Sequence, residues 1–357
     1  MKSKQRLLSL DILRGLTVAG MILVNNGYNE TFEPLRHSKW NGMTPCDLVF
    51  PFFLFIMGVS TYLSLSKFQF KMSGAVMRKI AKRTILLFLI GLFINWLDLA
   101  IEGDMNCFSH LRIWAVLQRI ALCYGIVSVL ALFVNHRYVL PLAMTLLVVY
   151  GALLWWGNGY AQESSNILAR VDQWLFGSEH LYRKSPIDPE GLLGTISSVA
   201  HTLLGFYCGM LLKKAKTVDE KVMKFLLVGA VLVIAGYLLS FLLPLNKRIW
   251  SPSYVLTTCG LAALLQGLLM YVIDVKGSKG WCTFFHVFGV NPLFLYVSSE
   301  ILSIVLKHVG VSESVYNGLH SLITGPQWAS LSYAIYFVML NFVLGYFLYR
   351  RKIFIKL

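Results

Sequence analysis

The run Tyr138-Val139-Leu140-Pro141-Leu142-Ala143-Met144-Thr145-Leu146-Leu147-Val148-Val149-Tyr150-Gly151-Ala152-Leu153-Leu154-Trp155-Trp156-Gly157 decides the architecture. It carries no charged side chain over ~20 residues, the length a helix needs to cross ~30 Å of hydrocarbon. Its apolar residues are continuous rather than alternating, which selects a helix over a strand of a membrane barrel. Inside lipid the backbone must satisfy its own hydrogen bonds, and a helix does so within one segment.

Working outward, comparable runs recur along the whole chain. The expected spans are 8–26, 47–66, 84–101, 113–135, 138–157, 190–212, 223–244, 251–273, 285–306 and 328–349. The composition agrees: of 357 residues 57% are hydrophobic and only 14% charged, and the mean hydropathy is +0.64. A soluble domain of this size could not hide so much apolar surface. The expected fold is therefore all-α, a polytopic membrane bundle of about ten helices, forming one domain over 1–357. The basic start Met1–Arg6 leads into an apolar segment that holds Asp11 and Arg14 and ends at Asn25-Asn26. That segment lacks a small-residue cleavage site, so it is read as a retained first span rather than a signal peptide.

The net charge of +15 would suggest nucleic acid on a soluble protein, but topology explains it better here. Basic residues gather in the segments that share a side with the two termini. Examples are Arg78, Lys79, Lys82 and Arg83, then Lys213, Lys214 and Lys216, then Arg350, Arg351 and Lys352. By the positive-inside rule both termini are cytoplasmic. The stretch 158–189, with Trp174 and Tyr182, then becomes a long extracytoplasmic loop, long enough to cap a site. The six cysteines show no CxxC and no metal-ligand spacing, so no metal is expected. Cys46 and Cys107 both fall in outer loops, which leaves a disulfide between them open.

Charged groups at membrane depth are costly and point to function by default. Asp11 and Arg14 are three residues apart on one helix face and can pair. Either the pair pins the first helix into the bundle, or Arg14 reaches an anionic ligand. Gln118 and Arg119 sit together in the fourth span, where an arginine needs a partner or a phosphate. Asn291-Pro292 should break or kink the ninth span, which also holds Glu300. Broken helices at membrane depth are tolerated where they line a cavity, which favours a polar pocket over a solid apolar bundle.

The densest polar segment is Arg36-His37-Ser38-Lys39-Trp40-Asn41-Gly42-Met43-Thr44-Pro45-Cys46-Asp47. Gly42 and Pro45 give it a turn-rich path. Asp47 stands where the second helix begins and complements its dipole. By residue type alone His37 reads first as a solvated loop histidine.

At this segment the sequence resembles the heparan-α-glucosaminide N-acetyltransferases and their bacterial relatives, within the wider transmembrane acyltransferase superfamily. The resemblance is carried by Ser9-Leu10-Asp11-Ile12-Leu13-Arg14-Gly15, by the segment from His37 to Gly58, and by Gln118-Arg119-Ile120-Ala121-Leu122 with Tyr124. It continues through Asp188-Pro189-Glu190-Gly191, Trp250-Ser251-Pro252-Ser253-Tyr254-Val255 and Asn291-Pro292. The His37–Gly58 segment is its most specific part.

The resemblance implies acetyl transfer from cytoplasmic acetyl-CoA to the amine of a glucosamine across the membrane. It makes His37 the reacting residue, as nucleophile or general base. Asp47 would orient the imidazole. A family asparagine preceding the histidine falls on Asn26 or Asn25, a donor to the developing oxyanion. Arg14, Arg119 and the Lys79–Arg83 cluster are the candidates for the CoA phosphates, and Gln118 and Asn291 for the lining of a pantetheine channel. Trp40 and Asn41 are expected to meet the acceptor.

The chain is expected to start at the first span, without the soluble region and leading helix that the resemblance attaches to the animal enzymes. A bacterial inner membrane, with the His37 loop facing the periplasm, is the expected location. A homodimer is implied by family analogy alone. Two other readings stay open: an amino-sugar permease, and an O-acetyltransferase for a periplasmic glycan.

Overall fold

The computed structural model describes residues 7–103, 106–182 and 185–355. Lys2, Lys4, Arg6, Arg183, Lys184 and Lys356 lie outside these residues. All α-helical elements described here follow chain order. They are α1 Leu8–Asn25, α2 Val49–Leu65, α3 Gly74–Ile101, α4 Val116–Phe133 and α5 Val139–Trp156, then α6 Ile167–Phe176, α7 Gly194–Lys214, α8 Val218–Ser240 and α9 Pro252–Leu269, then α10 Cys282–Val290, α11 Pro292–His308, α12 Val311–Leu322 and α13 Pro326–Arg350. A π-turn, Met270–Val275, prolongs α9. Among the described residues 9 helices are long and apolar enough to cross a membrane, and the bent pair α10–α11 raises the number to 10.

The expected spans coincide with these helices, with shifted ends. α3 begins ten residues before the expected 84, because Ser73 caps it: its side chain accepts from the Val76 N–H. Arg78, Lys79, Lys82 and Arg83 ride on this overhang, and Arg83 lies 4.5 Å over the Tyr124 ring.

α2 and α7 form the centre of the bundle. Gly58 of α2 faces the Thr202 and Phe206 backbone, and Gly205 of α7 faces the Phe55 carbonyl. A Cβ at either place would overlap main-chain atoms, so the two helices lie backbone to backbone, as small residues permit in lipid. The outward faces of α3, α5, α8 and α13 carry exposed large apolar residues such as Leu89, Val148, Val231 and Val343. In water such a surface would associate; in a bilayer it is solvated.

The expected break at Asn291-Pro292 is present, and α10 and α11 meet at 85°. Proline supplies no N–H, and the Asn291 side chain bonds elsewhere. Its Nδ2 donates to the Ile353 carbonyl at 2.9 Å, and its Oδ1 accepts from the Ile355 N–H at 2.9 Å. Asn291 thus ties the C-terminal segment to the break. α10 crosses α1 where Gly15 meets the Phe285 carbonyl and Gly289 meets that of Asp11. The start of α1, the break and the end of α13 therefore share one end of the bundle.

The opposite end gathers residues 26–48, 106–115, 157–182, 185–193 and 241–251. Two short helices there were not expected: α6 within the long loop, and α12, which packs through Tyr316 on Tyr28 just beyond α1. The possible Cys46–Cys107 disulfide does not form. All six cysteines are free and buried, including these two.

Candidate active site

The turn Pro45–Leu48 leads into α2 and explains why Asp47 is buried. The Thr44 N–H and hydroxyl donate to Asp47 Oδ2 at 3.0 and 3.1 Å, a capping box at the entry to the helix. The Ser38 N–H donates to the same oxygen at 3.1 Å. The other oxygen, Oδ1, is left for His37 Nδ1 at 2.8 Å. Tyr254 reinforces the turn by donating its hydroxyl to the Asp47 carbonyl. The Asp47 side chain is fully buried, whereas that of His37 is 49% exposed. The carboxylate is thus both a first-turn acid and a fixed partner for the ring. By accepting from Nδ1–H it leaves the lone pair on Nε2.

A third group completes the arrangement and was not anticipated. Lys247, from the 241–251 connection, places Nζ 2.9 Å from His37 Nδ1 and 3.1 Å from Nε2. Near-equal distances to both nitrogens put the ammonium over the ring face rather than along either lone pair. The same Nζ is 3.6 Å from Asp47 Oδ1. The Cys46 thiol lies 3.1 Å from Nδ1.

Trp40 and Asn41, expected at the acceptor, hold loops together. Trp40 Nε1 donates to the Tyr160 carbonyl at 2.8 Å, which fastens the 158–189 loop to the His37 loop. Asn41 Oδ1 accepts from Asn246 at 3.2 Å, and the Gly42 N–H donates to the Leu245 carbonyl at 2.8 Å. These bonds carry Lys247 to His37.

Beside this centre lies a buried charge cluster. Arg112 donates to Asp188 through Nε at 3.1 Å and through a terminal nitrogen at 2.6 Å, and to Glu190 at 2.8 Å. Burial works to raise the Glu190 pKa, but the fields of Arg112, Arg119 and Lys247 outweigh it and hold the carboxyl below its ordinary range. Asp172, on α6, behaves oppositely. Burial pushes it up to about 6 against the bond from the Leu192 N–H, and Asp188 adds to the rise. Its Oδ2 is buried without a partner.

Arg119, a candidate for the CoA phosphates, has loop carbonyls for partners. It sits at the His37 end of α4, fully buried, and donates to the Pro189 and Gly191 carbonyls at 2.9 and 2.8 Å. Its guanidinium also lies 5.3 Å over the Trp250 ring. Those bonds satisfy loop carbonyls through the two terminal nitrogens, while Nε is buried without a partner.

Arg14 stands at the far end. It pairs with Asp11 at 3.0 Å, as expected, and donates to Ser60 at 2.7 Å. It also reaches the Gly289 carbonyl at 3.4 Å, a cation at the C-terminus of α10. The Asn26 amide donates to the Ile22 carbonyl and the Asn25 amide to Glu300 at 3.1 Å. Neither bonds His37. Gln118 is fully buried and neither of its side-chain polar atoms has a partner. No group of three or more His, Cys, Asp or Glu suited to a metal occurs among the described residues.

Residues 6–167 match the family model of the heparan-alpha-glucosaminide N-acetyltransferase catalytic region. That segment contains Asp11, Arg14, His37, Asp47 and Arg119. The human heparan-alpha-glucosaminide N-acetyltransferase is 30% identical, over 99% of this chain and 60% of its own length. The mouse protein of that name is 28% identical, over 94% of this chain and 60% of its own. The chain spans about 60% of the length of these curated relatives. The loop of His37 and Asp47 lies within the matched segment, and the similarity to these heparan-alpha-glucosaminide N-acetyltransferases extends over nearly the whole of this chain.

Proposed function

We propose that the chain transfers acetyl from acetyl-CoA to the amine of a glucosamine-type sugar, with His37 as the reacting side chain. The observation that carries this reading is the contact of a half-exposed imidazole with a fully buried carboxylate at 2.8 Å. A solvated loop histidine has no need of such a partner. Asp47 is itself held by two backbone N–H donors, so it fixes the orientation of the ring through Nδ1.

Two routes use the same atoms. In the first, the Nε2 lone pair attacks the thioester carbonyl, the C–S bond breaks and CoA leaves as thiolate. The amine then attacks the acetyl carbon, the bond to Nε2 breaks, and the amine proton passes to water. In the second, Nε2 takes that proton while the amine attacks the thioester directly. Either route develops an oxyanion, and the Lys247 ammonium beside the ring supplies positive charge for it. Asp47 balances the cationic ring in both.

The donor is drawn from the cytoplasm, which the basic residues at the end holding Arg14 mark as their side. Arg14 and the Lys79–Arg83 overhang are the cations there. The acceptor meets the His37 loop on the other face, so the acetyl group crosses the membrane while CoA does not.

Purified protein with acetyl-CoA and glucosamine should yield N-acetylglucosamine, and His37→Ala should lose at least ~10³-fold in rate, the scale of removing a catalytic base or nucleophile. Mass spectrometry after acetyl-CoA alone separates the routes: acetyl on His37 selects the first. Sugar uptake by His37→Ala protein with no dependence on acetyl-CoA would sink the transferase reading in favour of a permease.

A further inference from the structure

A polar cleft of about 190 Å³ lies between α1, α3, α4 and α11, towards the His37 end of the bundle. It is lined by Asn25, Asn95, Arg112, Gln118, Tyr296 and Glu300, among others. Most of these groups are engaged. Asn95 donates to the Arg112 carbonyl at 2.7 Å, Arg112 serves Asp188 and Glu190, and Asn25 donates to Glu300 at 3.1 Å.

Two groups are not accounted for by their protein partners. Gln118 is completely buried, yet its amide oxygen and nitrogen both lack a partner. An unmet primary amide costs ~1–3 kcal/mol per orphaned group, so a site that keeps one points to an occupant. Glu300 forms no ion pair among the described residues; it meets the Asn25 amide and the Tyr296 hydroxyl. Asp98, which faces it from α3, adds negative charge. Glu300 has only neutral or like-charged groups against it among the described residues, so an ammonium entering the cleft would be the first opposite charge it meets.

The complement of this set is a ligand with hydroxyls for amides and a phenol, and an ammonium for a carboxylate. We propose that the cleft is the recognition subsite for the protonated amino sugar. Glu300 holds the ammonium, and Gln118 donates to and accepts from ring hydroxyls. A cleft of about 190 Å³ suits one sugar ring rather than a chain. The cleft lies at the His37 end of the bundle: Arg112 lines it and bonds Glu190 at 2.8 Å, and Glu190 feels the field of Lys247. A carboxylate here discriminates substrate from product, because acetylation turns the ammonium into a neutral amide. Capture favours the amine, and the N-acetyl product leaves.

This inference rests on the acetyl-transfer reading for the identity of the sugar, but binding tests it apart from turnover. Calorimetry on purified protein without acetyl-CoA compares glucosamine, N-acetylglucosamine and pantetheine. Glucosamine should bind more tightly than N-acetylglucosamine. Glu300→Gln should weaken glucosamine roughly tenfold, the scale of one charge-assisted hydrogen bond, and leave N-acetylglucosamine unchanged. Gln118→Leu, which fills the polar space with a side chain of similar size, should weaken both sugars. A melting curve on each variant checks that the bundle is intact, and two substitutions on different helices keep the test usable if one does not fold.

Glucosamine affinity unaltered by both variants would overturn the subsite, as would loss of pantetheine binding in place of sugar binding. Glucosamine bound in the cleft but never acetylated would leave the subsite standing and remove the acetyl-transfer reading. Acetylation with an unaltered KM in both variants would do the reverse.

Discussion

The two ends of the bundle both bury charge, but in different ways. At the Arg14 end the partners come from helices. Asp11 is one turn away, Ser60 is on α2, and Gly289 closes α10. Glycines bring the backbones of α1 and α10 together there. At the His37 end the partners come from loops far apart in the chain: Asp47, Lys247, and beside them Arg112 with Asp188 and Glu190. The first kind of site is anchored by helices that cannot move singly. The second depends on loops that fasten one another. It is also where a nitrogen, Nε2 of His37, keeps its lone pair on a half-exposed ring. Buried charge held by helices is architecture; a half-exposed ring fixed by a carboxylate, with an ammonium beside its Nε2, is chemistry.

The contrast can be broken most sharply at Asp47. Asp47→Asn should lower the transfer rate by ~10²–10⁴-fold, because an amide favours the wrong tautomer of the ring. Asp11→Asn, at the other end, should leave the chemical step nearly unchanged and act on melting temperature or on the acetyl-CoA KM instead. Equal losses of kcat in the two variants would erase the distinction between the ends.

Arg112→Gln tests whether the loops are an interlocked unit. It leaves Asp188 and Glu190 buried without their cation, a destabilisation of ~3 kcal/mol for broken partly buried pairs. Limited proteolysis should then cut first within 158–189 while the bundle stays folded. A variant as resistant as the parent would show that the cluster does not hold the loop.

Lys247→Met tests the cation over the ring. The aliphatic stem is kept, so the fold should persist, while kcat falls about tenfold to a hundredfold through loss of oxyanion stabilisation. A rise in KM with kcat unchanged would reassign Lys247 to binding.

The smallest expected effect is a pH dependence of loop docking. The Asp172 pKa rises from 3.8 to about 6 on folding. A raised carboxyl binds its proton more tightly in the folded state, so its contribution is complete below the unfolded pKa and is lost as pH rises through about 6. Docking should weaken by on the order of 2 kcal/mol between pH 4 and pH 7. Asp172→Asn should flatten that profile in hydrogen exchange of 158–193; an unaltered slope would place its origin elsewhere.

What was legible in the sequence follows the range of each interaction. The spans and the Asn291-Pro292 break are local signals, set by runs of apolar residues and by a residue without an N–H. The Asp11–Arg14 pair is one helical turn. α6 and α12 escaped because they are short and amphipathic, so neither hydropathy nor length marks them. Lys247 meets a ring 210 residues away in sequence, and Arg112 meets Asp188 across 76; no spacing rule spans such gaps. The Cys46–Cys107 disulfide failed because sharing an end of a bundle is a weaker condition than the close approach a disulfide requires. The partners of Arg119 are main-chain carbonyls of a loop, which no residue pattern announces. Asn291 broke the helix as expected, but its side chain caps the C-terminal segment.

The central claim is that acetyl crosses the membrane from one end of this bundle to the other, and sided vesicles test it most directly. The protein is reconstituted, and molecules with the His37 loop outward are selected by their resistance to a protease acting at the termini. Acetyl-CoA is sealed inside and glucosamine supplied outside. The account predicts N-acetylglucosamine outside, with CoA retained within and no product from His37→Ala vesicles. Product formed only when acetyl-CoA and glucosamine share the His37 side would contradict it.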